Sequence, residues 1–162
     1  MKGIKIFTEK GIRVNKSKIE TILDKLKNDL DFQIDSFELN FVNSQTIIEI
    51  NKKYLNHKDS TDIITFNYSD EKFRFDAEIF ISITDAIENA KKYKVQNDNE
   101  VGRLIIHGIL HLLGYDDMTP SKKKTMKKHE NFYVKKYDKL FKGILLQWRR
   151  KLLMYLLKFL KH

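Results

Sequence analysis

The stretch EVGRLIIHGILHLLGYDD, residues 100–117, decides how the rest of the chain is read. Apolar residues recur through it at helical spacing, and a helix over about residues 98–113 is predicted to stop at Gly114, a residue that adopts the left-handed conformation past a helix end without strain. His107 and His111 lie four residues apart in that helix, so both imidazoles leave one face and can meet a single ion. The helix stop turns the acidic pair Asp116 and Asp117 back toward the same place. Two histidines and a carboxylate leave a coordination position for water, which a divalent ion acidifies toward neutral pH. The position after His107, where a metalloprotease helix carries its glutamate base, is Gly108, which argues against protease chemistry. The alternative for the same residues is a pair of buried, hydrogen-bonded histidines, with Asp116 as a turn former.

Working outward, Thr119 and Pro120 open a fifth helix, since proline suits a first helical turn. Upstream, β-branched or alternating runs predict strands at Ile4–Thr8 and at residues 37–42, 63–68 and 78–83. Helical patterns lie between them: Lys16–Leu30, a second helix capped by Asn43 or Ser44 and carrying Ile47, Ile48 and Tyr54, and a third over about residues 84–93 capped by Thr84. This order predicts an α+β fold. We expect a single domain in which a small mixed four-stranded sheet packs against about five helices, with the metal site at the end of a central helix. The 162-residue length fits one domain.

Cysteine is absent, which excludes disulfides, thiolate metal sites and a cysteine nucleophile. No stretch has the uncharged apolar length of a membrane span or signal peptide, so a cytoplasmic protein is expected. Of the net charge of +9, residues 142–162 supply six cations and no acid, leaving +3 for residues 1–141. The tail places Ile144, Leu145, Trp148, Leu152, Tyr155, Leu156 and Phe159 on one side of a helical wheel, with Arg150, Lys151, Lys158 and Lys161 on the other. It is therefore predicted to be a basic amphipathic helix over residues 142–162, separate from a domain over residues 1–141. Such a helix docks on its own domain, binds a partner or lies on an anionic membrane surface. The fifth helix is also lysine-rich, with Lys122, Lys123, Lys124, Lys127, Lys128, Lys135, Lys136 and Lys139 against Glu130 and Asp138. That is either a solvated face or a nucleic-acid-binding one.

The string from His107 to Asp117 resembles the signature H-G-x-L-H-L-x-G-Y-D-H of the YbeY family of metal-dependent endoribonucleases. Asn51-Lys-Lys-Tyr54 with Thr61-Asp62-Ile-Ile-Thr-Phe66 is similar to the family's N-x-x-Y-R and T-D-V-L-S-F, and Asp76-Ala-Glu78-Ile-Phe-Ile-Ser82 to its G-[DE]-I-x-I-S strand. In order and spacing these cover about residues 40–120.

The resemblance implies one divalent ion, expected to be zinc, on His107, His111 and Asp117, with Asp116 orienting a ligand or water. It implies cleavage of single-stranded RNA in late ribosome maturation, at the 3′ end of the 16S rRNA, and in ribosome quality control. Implied partners are ribosomal RNA, the small ribosomal subunit and ribosomal or assembly-factor proteins.

Two positions depart from the pattern. The family's third histidine falls on Asp117, and the arginine after its tyrosine falls on Leu55, for which Lys58, His57 and Arg103 are candidate substitutes. Lys58, Arg103, Lys123 and Lys127 are the expected RNA contacts. The alternatives are a ribosome-associated assembly factor with a structural metal and a metal-dependent hydrolase of another substrate. Tyr54, Phe66 and Tyr115 suit base stacking or the core, Thr61 and Asp62 suit the site or a loop hydrogen bond, and His129 is expected at the surface.

Overall fold

The computed structural model describes residues 2–56 and 61–148. Its strands are β1 (Ile4–Thr8), β2 (Ile12–Val14), β3 (Gln33–Val42), β4 (Ile63–Asn67), β5 (Arg74–Ser82) and β6 (Leu145–Trp148). The α-helices are α1 (Lys16–Leu30), α2 (Ser44–Ile50), α3 (Ile83–Tyr93), α4 (Asn97–Leu112) and α5 (Pro120–Phe141), and a π-helical turn covers Asn51–Leu55. One mixed sheet runs in the order β1-β3-β5-β4, with β1, β3 and β5 parallel and β4 antiparallel at the edge. This is the expected α+β architecture. No helix among the described residues is long and apolar enough to cross a membrane.

Period-two alternation explains how the sheet divides the molecule. Phe75, Ala77, Ile79 and Ile81 of β5 point into the main core, which also takes Ile19, Ile22, Leu23 and Leu26 of α1 and the apolar residues of α4. Phe80 points the other way, into a smaller cluster with Val42, Ile47, Ile64 and Phe66. Local chemistry sets most helix starts: the side chains of Asn15, Asn43 and Thr119 accept from Lys18, Thr46 and Lys122 backbone N–H groups. The third helix starts earlier than expected, because Ser82 and not Thr84 is its cap, accepting from the Asp85 N–H. β5 also begins upstream of its apolar run, where Arg74 pairs with Asp35 of β3 through two contacts of 2.6 and 2.8 Å.

The larger correction concerns the chain after α5. Residues 145–148 were expected in a helix of the basic tail but form β6, which pairs antiparallel with β2. The reason is a set of partners distant in sequence. Asp98 accepts from the Gly143 and Leu145 N–H groups at 2.8 and 2.9 Å, and Ile144 is fully buried. The rest of the expected tail helix, residues 149–162, lies outside the described residues.

The central helix α4 is buried on nearly every side, through Val101, Leu104, Ile105, Ile106, Ile109, Leu110 and Leu112. Gly108 lets it approach the sheet, for a Cβ there would lie 2.7 Å from Ile79 Cδ1 and 3.0 Å from Ile63 Cδ1. That is why no glutamate follows His107: the position faces the sheet, not the histidine face.

Candidate metal centre

His107 and His111 occupy successive turns at the end of α4, on its one face turned away from the core. Their rings meet edge to face, with centroids 4.5 Å apart and planes at 85°. Their Nε2 atoms are 2.9 Å apart. Beyond Leu112 the helix closes as glycine allows: Gly114 has a φ of +91°, and its N–H donates to the His111 carbonyl at 2.9 Å. The Tyr115 N–H then donates to Leu110 O at 3.1 Å, and the chain doubles back. This return brings Asp117 to the histidines, so that ligand atoms of His107, His111 and Asp117 all lie within 4.8 Å of one another. Two imidazole nitrogens and a carboxylate oxygen make a donor set that fits a divalent ion such as zinc. His111 is held below the usual imidazole range, first by burial and then by the charge of His107, against the pull of Asp117. A neutral imidazole keeps the lone pair that a metal needs.

Behind the histidines lies a buried ionic network that the motifs alone did not indicate. Glu130 of α5 is only 2% exposed, and its Oε2 lies 2.7 Å from His107 Nδ1. Its Oε1 accepts from Lys127 at 2.9 Å and Arg103 at 3.3 Å. Burial pushes the Glu130 carboxyl up, but hydrogen bonds from His107 and Lys127 and the charge of Arg103 outweigh it and bring the group down to about 2. Arg103 also grips buried Glu100 with two bonds of 3.0 and 2.7 Å and lies 3.6 Å from Asp62. Burial works against its charge, but Glu100, Glu130 and Asp62 together raise it above the ordinary arginine range. Burial likewise lifts Asp62 above the usual carboxylate range, partly offset by Arg103. The sequence signal for Glu130 was its place as one of two acids in the lysine-rich helix.

The remaining expected residues distribute as follows. Asp116 accepts from the Met118 N–H at 3.1 Å and from Lys122 at 2.8 Å, so its carboxylate organises the loop into α5. The Lys122 bond, followed by the Met118 N–H, lowers it below the usual range. Arg103, Lys123 and Lys127 line the same cleft as His107 and Asp117, a space of about 860 Å³. Leu55 closes the π-helical turn at 43% exposure, and Lys58 and His57 lie outside the described residues. Thr61 donates to the Ile63 carbonyl, and Asp62 accepts from Asn89 at 3.0 Å. Tyr54 is exposed and edge-on to Phe66, while Tyr115 is half-buried with its ring 4.7 Å from that of His129. His129 is partly buried, with its ring against that of Tyr115.

The chain is similar to known proteins in sequence and in fold. The family model described as Endoribonuclease YbeY matches residues 4–138. The Endoribonuclease YbeY of Chlorobium limicola is 36% identical over 118 residues, 73% of this chain and 81% of that protein. That of Karelsulcia muelleri is 44% identical over 99 residues, 60% of this chain and 70% of its own. Among solved structures, the solution structure of TM1509 from Thermotoga maritima superposes with a TM-score of 0.57 at 27% identity, covering 82% of this chain and 87% of that one.

Proposed function

We propose, from the premise that this chain belongs to the YbeY family of endoribonucleases, that it is a metal-dependent endoribonuclease acting on single-stranded RNA. The observation that carries the reading is the convergence of His107, His111 and Asp117 beside a cleft that His107 and Asp117 line and whose other wall is the lysine face of α5. These three residues hold the ion, which we assign as one zinc. Once bound, the ion supplies a Lewis acid for the scissile phosphate and lowers the pKa of a water so that hydroxide is available at neutral pH.

Each residue of the chain then has a defined task. Lys123 draws the phosphate backbone into the cleft by attraction that does not depend on sequence, and Lys127, although it also bonds Glu130, adds its charge to the same wall. Asp116 holds the loop that presents Asp117. Arg103, already engaged by carboxylates, shapes the cleft wall. A single strand is favoured because in-line attack needs a backbone that can rotate at the scissile bond. The setting we assign is late ribosome maturation in the cytoplasm: processing of the 16S rRNA 3′ end, and quality control on the small subunit with ribosomal or assembly-factor proteins.

Leu55 favours a second reading. An arginine there would offset charge on the transferring phosphate, and its absence suits an assembly factor with a structural metal. Metal content and RNA cleavage, measured on the wild type and on folded His111→Ala, separate the two. A nuclease carries about one ion per chain and cuts single-stranded RNA, and His111→Ala loses both. An assembly factor binds metal, associates with small subunits and leaves RNA intact.

A further inference from the structure

We infer that Glu130 is the positioning residue of the metal centre, fixing His107 with its proton on Nδ1 so that Nε2 faces the ion; this rests on the proposed reading of that centre. Three observations lead there. The Glu130 carboxylate touches the ring nitrogen of His107 that points away from the site, at 2.7 Å. A carboxylate accepts and cannot donate, so a neutral imidazole in this contact carries its proton on Nδ1, and the lone pair is left on Nε2. That Nε2 is the atom 2.9 Å from Nε2 of His111, the second histidine of the cluster.

The carboxylate is itself held in place. At 2% exposure its charge requires partners, and the Oε1 atom has two, Lys127 and Arg103. Arg103 is in turn fixed by the bidentate contact to Glu100 from its own helix. The order Glu100, Arg103, Glu130, His107 therefore passes rigidity from the buried side of α4, through α5, to the ligand. Such carboxylate–histidine support orients a ligand ring and raises its basicity, and its loss typically weakens metal binding by about 10–100-fold.

The test uses the full chain with a Glu130→Met variant, which fills the volume with only a weak sulfur acceptor, and Glu130→Gln, which restores an oxygen acceptor. In metal-free wild type, ¹⁵N NMR should find the His107 proton on Nδ1, and Glu130→Met should lose that preference. Zinc affinity, measured by competition with a chelator, should fall by about 10–100-fold in Glu130→Met and recover in part in Glu130→Gln. A wild-type proton on Nε2, or wild-type zinc affinity in folded Glu130→Met, overturns the inference. Failure of the wild type itself to bind zinc defeats the metal reading instead, while the NMR result still decides what Glu130 does.

Discussion

Gly108 shows how one residue can close off a whole mechanism. Its α-carbon faces the isoleucine tips of β4 and β5, so a side chain there enters the core and not the site. Alanine raises helix propensity by about 1 kcal/mol, and the nearest atom it meets is the flexible end of Ile79, so Gly108→Ala should change stability by no more than about 1 kcal/mol either way. Glutamate would bury an unpaired carboxylate against hydrocarbon. Gly108→Glu should therefore be destabilised by at least about 3 kcal/mol in urea unfolding, and an unchanged midpoint would contradict the packing described. The His107–His111 spacing and Gly114 were legible in sequence because each acts within its own helix. Glu130 was not, since its partner His107 lies on another helix.

Helix α5 depends on contacts to α1 as well as to α4. Asp29, near the end of α1, accepts from Tyr137 and Lys136 of α5. The Lys136 bond, followed by the Tyr137 hydroxyl, holds this carboxyl below its ordinary range against a smaller opposing effect of burial. A depressed folded-state value means that the stabilisation is complete above the unfolded carboxylate pKa of about 3.9 and is lost as pH falls through the folded value. Asp29→Asn should therefore destabilise the protein by about 1 kcal/mol at pH 7. The gap to wild type should shrink in thermal melts taken below about pH 4; a constant gap would remove the tether from the account. At this scale the sequence was readable wherever a helix carries its own punctuation, as at Asn43 or at Thr119 and Pro120. It was unreadable at β2 and β6, because their short strands have no pattern apart from the partner they find.

For the molecule as a whole, the position of charge matters more than its sum. The chain carries +9, and the lysines that bear on the proposed site are those of α5 lining its cleft. Affinity for a single-stranded RNA oligomer should fall with salt by about 0.7 log units per decade for each phosphate neutralised. Lys123→Ala should lower that slope by about 0.7 in fluorescence anisotropy and weaken RNAs of different sequence alike; an unchanged slope would place the RNA elsewhere.

The closing ribbon of β2 and β6 adds a constraint in time. It joins the chain just after β1 to the chain just after α5, with Ile12 paired to Trp148, and Asp98 fastens the same junction to the start of α4. Contacts so distant in sequence form only after the loop between them has closed, which places them among the slow events of folding. A nascent chain that ends before residue 145 thus holds the metal-binding spacing without the β2–β6 ribbon that completes the frame around it.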